Sequence, residues 1–572
     1  MPCSPCQRIS RLPSSGPRSA ISPTGRARSA ARSAEPSRIL PSSRGDPTPP
    51  KGSGKLHVDG RGDVKTRWHT VAALWVLAVM FAGVAAADEP VGENEEGAAP
   101  DSSADEAWGV PEPDSCAPKG GLLGGPRTSA EDAPPSLPFS PGDVFEMEGI
   151  EVLKNFLPEF LWPYRDRFFY DGMRLEIGPC FRDYGPPAFY GDATEKFRGQ
   201  ARLDDDGGLV DYTAGQPFAA ADLDPEDPKA GDKWLWNVEF RYQAAGFRGP
   251  FRMTDLVGRT GRAEPFEGEM FKLQMAHRAD RAEDDYVAPG ARKKHFVAGG
   301  IFFKPFDARE NSWRQFRDLK HEVEPKRSDD LHAYLPQWRR VRRISASQVE
   351  GLYMPSFSVG VVPNQQLIVG GSGGGGSAAA AGGVSGVGGT VQNKRSGYEG
   401  LVFRPLLYDS QVLGLHDVLA PINTQEAGYP ENPDRQFGPW GLSFASDRWD
   451  LRRALVLEMR AKEPTGDLNA RQVVYVDLQT QQPMYMATFD GKEELTNIGM
   501  YAGRWSEDRE GYPAWPDDET RPIRVIDSVG AAFANLAESG SWRRESWENV
   551  GTPPDDRTVK RMSSVSQLTK GR

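Results

Sequence analysis

The sequence predicts a mainly β fold of the α+β class, built on a large antiparallel sheet. Apolar and polar residues alternate with period two over much of the chain, which is typical of strands that bury one face. Near the C-terminus, strands are expected at 454–460, 472–477 and 484–489, separated by Gly, Gln-Pro and Asp-Gly turns. Helical periodicity is confined mainly to 151–165 and 529–536. This order favours an antiparallel meander over alternating βαβ units.

The clearest alternation lies at 233–242. Trp234, Trp236, Val238, Phe240 and Tyr242 would share one face of a strand. A strand with four aromatic side chains on one face needs a deep apolar interior to pack against. We therefore predict that this stretch is a strand and that its aromatic residues line an apolar cavity, although plain core packing accounts for any one of them equally well.

A secretory signal peptide is expected at 64–87. Lys65 and Arg67 precede an apolar run, 71–84, which ends in three alanines before Asp88. A basic segment, a short apolar run and a small-residue cleavage site occur here in the order that export requires. The run is shorter than the roughly 20 residues that span a bilayer. The alternative is an uncleaved inner-membrane anchor formed by 71–87.

Residues 1–63 are rich in Arg, Ser, Pro and Gly and cannot form a core. They are either an upstream extension, with translation starting at Val64, or an unusually long basic segment. Residues 88–140 resemble a disordered acidic leader, and 141–572 is predicted to be the folded domain. Within that domain, the Gly, Ser and Ala run at 370–389 is expected to be a loop insertion.

The exported part of the chain is acidic. The whole chain carries a net charge of −11 and residues 1–87 carry +9, which leaves −20 for the remainder. A surface of this charge repels nucleic acid. Cys116 and Cys180 follow the predicted cleavage site, and in an oxidising compartment they could pair or stay free.

Motifs for catalysis and for metal binding are not recognised. The five histidines after residue 88 are isolated in sequence, with no zinc or EF-hand spacing, so we expect no metal, no cofactor and no catalytic residue. The Gly-x-Ser-x-Gly at 370–374 lies in the glycine-rich run, which supplies no helix after the serine. The basic stretch from Arg339 to Arg343 predicts either ion pairs with acidic strands or, through Arg339 and Arg343, a rim that holds an anionic head group.

Several blocks of the sequence resemble a family of unknown function whose members are described as outer-membrane lipoprotein-sorting proteins, related to LolA and LolB. The blocks keep the family order from about Gly149 to near the C-terminus and occupy residues 187–190, 192–203, 215–218, 227–231, 236–237, 241–242, 334–336, 339–343, 449–453 and 471–477. The glycine-rich insertion and the long N-terminus depart from the family pattern.

This resemblance implies a periplasmic protein with a half-open antiparallel β-barrel wrapped around a few helices, with an apolar cavity for acyl chains. It supplies no catalytic residues. The predicted function is therefore a non-enzymatic carrier of lipids, lipoproteins or other hydrophobic ligands, with Trp234, Trp236, Phe240 and Tyr242 at the cavity and Arg339 and Arg343 at its rim. The alternatives are an adaptor that docks on a resistance-nodulation-division exporter or an outer-membrane machine, and a hydrolase with an unrecognised site.

Overall fold

An antiparallel-dominated sheet of 16 strands organises the protein in the computed structural model. The residues that the structure describes are 108–117, 136–257, 261–262, 265–291, 293–336, 339–346, 404–462, 470–515, 518–536, 541–548, 550–551 and 554–569. All of them belong to one unit, Glu93–Arg572. The predicted signal peptide, the segment before it and the glycine-rich insertion lie outside the described residues.

The described strands are numbered here in chain order. They are β1 Val144–Phe145, β2 Leu175–Cys180, β3 Arg202–Leu203, β4 Leu209–Val210, β5 Gly246–Val257, β6 Gly261–Arg262, β7 Phe266–Gln274, β8 Lys294–Lys304, β9 Ser312–Asp318, β10 Asp329–Leu335, β11 Arg340–Ala346, β12 Tyr408–Ala420, β13 Arg448–Ala461, β14 Arg471–Asp477, β15 Pro483–Phe489, β16 Leu495–Trp505, β17 Ala514–Trp515, β18 Asp518–Pro522, β19 Ile526–Asn535 and β20 Ser541–Trp547.

Helices are few and short in the described chain. The α-helices are α1 Ala188–Lys196, α2 Ala230–Glu239 and α3 Asp556–Met562. The 3-10 helices are Met147–Phe156, Glu159–Arg167, Ala220–Asp222, Ala279–Asp284, Phe306–Ala308, Leu319–Glu322, Pro405–Leu407, Ser506–Asp508 and Val565–Thr569. Among the described residues, we find no helix with the length and apolar character needed to cross a bilayer.

The main sheet follows the order β1-β2-β13-β14-β15-β16-β19-β20-β5-β7-β8-β9-β10-β11, with β12 added beside β13 and β6 beside β5. Neighbours pair antiparallel except β2 and β13, which are parallel. Within the described chain, β11 pairs with β10 and β12 pairs with β13, and the two are not paired with each other. The sheet is therefore open, and the predicted mainly β, antiparallel, half-open architecture is confirmed.

In the meander around β13, both faces of the sheet are buried, and each belongs to a separate apolar core. Leu455 and Leu457 of β13 face a core that contains α2, whereas Ala454 and Val456 face a core that contains the two long 3-10 helices. Alternating side chains of one strand point to opposite faces, so each strand of the meander contributes to both cores. The predicted strands at 454–460, 472–477 and 484–489 are confirmed, and they pair antiparallel as β13, β14 and β15.

The strand predicted at 233–242 is wrong, because residues 230–239 form α2. The alternation misled because α2 is enclosed on all sides: Leu235, Asn237 and Glu239, which would form the polar face of a strand, are as buried as Trp234 and Trp236. A helix that is buried all round has no amphipathic stripe to reveal its period of 3.6.

The helix predicted at 529–536 is also wrong. These residues belong to β19, which pairs with β16 on one side and β20 on the other. Ala531 and Phe533 face one core, and Val529, Ala532 and Ala534 face the other. Alanine favours helices intrinsically, but pairing on both sides and burial of both faces outweigh that preference here. The helical prediction for 151–165 is confirmed in part, because these residues belong to two 3-10 helices, Met147–Phe156 and Glu159–Arg167, with a break between them.

Part of the expected leader belongs to the folded body. Trp108 is buried, its indole N–H donates to the Leu223 carbonyl at 3.0 Å, and its ring meets Trp234 edge-on at 5.3 Å. Cys116 forms a disulfide with Cys180 at the end of β2. The boundary expected at residue 140 is therefore too late for 108–117, while 88–107 and 118–135 lie outside the described residues. Of the two alternatives for the cysteines, the structure shows the pair.

Candidate functional site

A cleft of about 230 Å³ opens beside α1 and is the candidate ligand site. Its walls are formed by α1 with the residues before it, the turn between β14 and β15, the residues around the start of β19, and Gln216 and Tyr242 from two connecting segments. The lining residues are Tyr184, Pro186, Tyr190, Gly191, Thr194, Glu195, Gln216, Tyr242, Gln479, Thr480, Gln481, Gln482, Arg524, Val525 and Ile526.

Hydrogen bonds fix the α1 wall of the cleft. The Tyr190 hydroxyl donates to the Phe240 carbonyl at 2.9 Å, which fastens α1 to the end of α2. The Thr194 hydroxyl donates to the Tyr190 carbonyl at 2.9 Å and accepts from the backbone N–H of Gln216 at 2.8 Å. Gly215 has a φ of +85°, and a Cβ there would lie 2.5 Å from the Thr194 nitrogen. Only glycine therefore allows this loop to approach α1 so closely.

The opposite wall is the turn Gln479–Gln482, which neighbouring side chains hold in place. The Gln479 side-chain oxygen accepts from the Tyr184 amide at 2.9 Å and from the Arg452 guanidinium at 3.0 Å. The Gln482 side-chain oxygen accepts from Arg241 at 3.3 Å. These bonds order the backbone of a polar turn that would otherwise be free to move. The wall is therefore preorganised.

Among the described residues that line the cleft, the Tyr242 hydroxyl and the side-chain nitrogen of Gln216 are buried without a hydrogen-bond partner, whereas the Arg524 Nε atom lies 3.0 Å from the Glu507 carboxylate. A buried polar group without a partner costs roughly 1–3 kcal/mol. A ligand whose acceptor oxygens reach these atoms would satisfy them. Burial raises the pKa of Tyr242 and of Tyr190, so both phenols stay protonated at physiological pH and serve as neutral donors.

Two buried carboxyl groups lie behind the cleft. Burial raises the pKa of Asp450 to about 6, although it accepts a hydrogen bond from the Tyr184 hydroxyl. Burial likewise raises the pKa of Asp527, next to Ile526, to about 7, even though Arg509 lies 2.7 Å away. In both cases desolvation outweighs the favourable partners. Both groups contact protein side chains, and neither is a cleft-lining residue.

The structure places the six predicted ligand-binding residues in three different settings. Trp234, Trp236 and Phe240 are buried in the core around α2, where Trp236 donates to the Gly207 carbonyl at 3.1 Å. Tyr242 lines the cleft. Their predicted role as cavity residues stays a prediction, and the cleft described here brings only Tyr242 of the six into its walls.

The predicted rim arginines lie at one end of the sheet order, on or beside β11, away from β14, β15 and β19, which border the cleft. Arg339 is exposed and directly precedes that strand. Arg343 is exposed and forms an ion pair with Asp330 of the neighbouring β10. Of the two interpretations of this basic stretch, ion pairing with a neighbouring strand is what the structure shows for Arg343. Neither arginine lines the cleft, and binding of an anionic head group stays a prediction.

A second polar group is buried where α2 meets β8 and the 3-10 helix Leu319–Glu322. Glu239, His295 and His321 place one potential metal-ligating atom each within 4.8 Å of one another. Arg317 and Asp329 lie beside them, with the Arg317 guanidinium 3.2 Å from Glu239 and 2.9 Å from Asp329. Burial, followed by the charges of neighbouring groups, keeps the pKa of His295 well below its usual value.

Sequence reasoning missed most of the cleft and all of this polar group. The signal that pointed toward the cleft was the resemblance itself, because Tyr190, Thr194 and Gln216 lie inside the blocks quoted for it. The turn Gln479–Gln482 carries no periodic pattern. His295 and His321 come from separate elements, so their spacing resembles no metal motif.

The open sheet and the preorganised cleft define a mainly β protein with a candidate ligand site. The chain belongs to the DUF1329 family, described as "Protein of unknown function (DUF1329)", whose model matches residues 167–356 and 392–516. This confirms the family that the sequence blocks indicated. A search of the curated proteins gives no significant match.

Solved structures with similarity to this chain include a DUF1329 family protein from Desulfovibrio piger, at 15% identity and a TM-score of 0.31, covering 57% of this chain and 93% of that one. A protein from Vibrio parahaemolyticus described as an outer membrane lipoprotein-sorting protein domain has 13% identity and a TM-score of 0.31, covering 59% and 100%. A LolA superfamily protein from Nitrosomonas europaea has 11% identity and a TM-score of 0.24, covering 56% and 92%. At these scores the similarity carries no conclusion about ligand, activity or partner.

Proposed function

We propose that this protein is a non-enzymatic binding protein of the periplasm, exported by the signal peptide at 64–87, which carries an amphipathic ligand with its polar head in the cleft beside α1. The observation that carries the proposal is the pair of unpartnered donors, Tyr242 and Gln216, among lining residues that fold-internal hydrogen bonds hold in place. A few precisely placed polar groups that fix the orientation of a ligand are a usual feature of small-molecule sites.

The size of the cleft limits the ligand. Its volume of about 230 Å³ lies below the roughly 300–1,000 Å³ of typical small-molecule pockets. It suits a head group with a short length of chain, and a lipoprotein anchor with several acyl chains would require the cleft to widen. Burial of each methylene contributes roughly 0.8 kcal/mol, so affinity should rise with the length of chain that enters. Docking on an exporter or an outer-membrane component is a further step of the same hypothesis.

The test begins with the protein purified from the periplasm after expression of the full chain. Native mass spectrometry and lipidomics should detect a bound amphiphile, and the delipidated protein should bind a fluorescent fatty acid. Gly191 lines the cleft on α1, and a Cβ added there would meet no atom within 4 Å. Gly191→Leu should therefore fill the cleft without disturbing its walls and weaken probe binding by about tenfold or more.

The matched control is Asp192→Leu, at the next, exposed position of α1, which should leave probe binding unchanged. Tyr242→Phe removes one donor and should weaken binding of a carboxylate probe about 2- to 12-fold, the value of one hydrogen bond. Absence of a co-purified amphiphile together with equal probe affinity in Gly191→Leu and the unaltered protein would contradict the proposal. Capture of a protein partner under those conditions would favour the adaptor alternative.

A further inference from the structure

We propose that Glu239, His295 and His321 form a buried site for one divalent transition-metal ion, with Zn²⁺ the best match to the ligand set. Two imidazoles and a carboxylate are a ligand combination that zinc accepts. The three residues come from three elements: the last residue of α2, the second residue of β8, and the 3-10 helix Leu319–Glu322. All three are almost completely buried.

The distances fit an ion better than they fit direct hydrogen bonds. The Glu239 Oε1 atom lies 3.8 Å from His295 Nδ1 and 3.7 Å from His321 Nε2, too far for a hydrogen bond. The three potential ligand atoms all lie within 4.8 Å of one another, so one ion could contact all of them. Zinc binds imidazole nitrogen and carboxylate oxygen at about 2.0–2.2 Å.

The two histidine nitrogens, His295 Nδ1 and His321 Nε2, and the second carboxylate oxygen of Glu239, Oε2, are buried and have no hydrogen-bond partner among the described residues. Native proteins satisfy the great majority of such atoms, and each exception calls for an ion, a water or a functional reason. Exceptions on both histidine nitrogens and on the glutamate whose potential ligand atom lies within 4.8 Å of them indicate a common ligand.

The tautomer of His321 is already set for metal binding. Its Nδ1 lies 2.8 Å from the Asp318 carbonyl, which can only accept, so Nδ1 carries the proton and donates it. In the neutral ring, Nε2 then has its lone pair directed at the site. A backbone carbonyl that orients the second nitrogen of a ligating histidine is the usual outer-shell arrangement of metal sites.

Arg317 limits the affinity. Its guanidinium donates to Glu239 at 3.2 Å and makes two hydrogen bonds to Asp329, at 3.0 and 2.9 Å. Asp329 therefore balances much of its charge, but Arg317 still competes for Glu239 Oε1. We expect binding weaker than at a structural zinc site made of thiolates. A bound ion would fasten α2 to β8 and to the 3-10 helix, which is a structural role.

The experiment uses the mature protein secreted from the full chain and purified without a histidine tag. Elemental analysis after equilibration with Zn²⁺ and dialysis should give about one zinc per chain. Co²⁺ added to the chelator-treated protein should show the absorption of a low-symmetry His-and-carboxylate site, and Zn²⁺ should raise the melting temperature. These three measurements need no variant, so they remain decisive if a substitution in this core prevents folding.

His295→Gln and His321→Gln should each weaken Co²⁺ binding by more than about 100-fold and abolish the rise in melting temperature. The matched control is His416→Gln, which removes a buried histidine of β12 outside the group. It should bind Co²⁺ as the unaltered protein does. A protein that takes up no metal, or Co²⁺ binding that survives both His295→Gln and His321→Gln because surface groups hold the ion, would overturn the proposal.

Discussion

Helix α2 and the meander β13–β15 bury similar alternating runs of apolar side chains, yet one is a helix and the other is a set of strands. The meander strands are sandwiched between two cores and send alternate side chains into each. In α2 the residues between the tryptophans are buried as well, including Asn237 and Glu239. The comparison teaches that alternation of apolar residues does not by itself fix the backbone period when all sides of an element are buried, and that the turns flanking the meander strands are what distinguish the two regions.

The polar residues of the two regions differ in how they are satisfied. In α2, the Asn237 side chain accepts from the Phe218 amide at 3.0 Å and donates to the Phe218 carbonyl at 2.8 Å. Asp329, on β10 near the end of α2, has an overall lowered pKa because the charge and hydrogen bonds of Arg317 outweigh its burial. On β13, burial outweighs the partners of Asp450 and its pKa is raised. The charged groups around the end of α2 therefore compensate the burial of Asp329, whereas the groups around Asp450 on β13 do not compensate its burial.

The largest expected effect is the loss of a tryptophan from α2. Trp236→Ala should lower the free energy of unfolding by roughly 3–5 kcal/mol, because it leaves a large cavity and removes the hydrogen bond to Gly207. Val474→Ala on β14 opens a smaller cavity in the same core and should cost roughly 2 kcal/mol. Urea denaturation of both variants measures the difference. An equal cost would mean that α2 is packed less tightly than the sheet that encloses it.

The sequence was sufficient to predict the antiparallel meander, but it was insufficient to predict the helix α2 and the strand β19. β13, β14 and β15 were predictable because turns of Gly, Pro and Asp divide short apolar stripes, a local signal. The helix α2 was not, because burial on all sides erased its period. The strand β19 was not predictable, because its Ala residues favour a helix and only pairing with the two neighbouring strands, β16 and β20, makes this segment a strand. Each of these two errors is a case of tertiary packing overriding local preference.

The candidate sites were less predictable than the fold. Tyr242 was identified from an aromatic stripe, but the strand that justified it does not exist. The unpartnered nitrogen of Gln216 depends on a glycine turn at 215 and on α1, two features that come together only in the folded chain. Glu239, His295 and His321 likewise meet only through the packing of distant segments in the folded chain. Sequence spacing reveals a site only when its residues share one element.

The next largest expected effect is the pH dependence of stability that comes from Asp450, the buried carboxyl group on β13. Because the folded-state pKa of Asp450 is about 6, against an ordinary value of 3.8, the folded protein holds this proton more tightly than the unfolded chain. Its contribution to the free energy of unfolding is therefore fully present below pH 3.8 and falls as the pH rises to about 6. Asp450→Asn removes this dependence. Relative to the unaltered protein, the variant should gain roughly 2–3 kcal/mol between pH 4 and pH 7.

Urea denaturation at several pH values measures this gain, with Asp192→Asn, an exposed carboxylate on α1, as the control. Because the test compares how the free energy of unfolding changes with pH, an effect of the substitution on packing that is the same at every pH does not alter the result. If the two variants follow the same pH dependence, Asp450 is compensated after all, and the contrast with Asp329 does not hold.

The smallest expected effect is a change in stability that has opposite signs for alanine substitutions at two glycines, Gly231 and Gly191. Gly231 of α2 faces β12 so closely that a Cβ would lie 2.3 Å from the Ser410 carbonyl oxygen and 2.4 Å from the Gln411 Cα, both backbone atoms. Gly231→Ala should therefore destabilise the protein by roughly 1–3 kcal/mol through displacement of α2 from the sheet. Gly191 of α1 has open space at the same position. Gly191→Ala should stabilise by roughly 0.5–1 kcal/mol, since alanine favours the helix. Thermal and urea unfolding measure both changes in stability. A gain in stability from Gly231→Ala would show that α2 can move away from β12, and it would contradict the close packing of this helix against the strand.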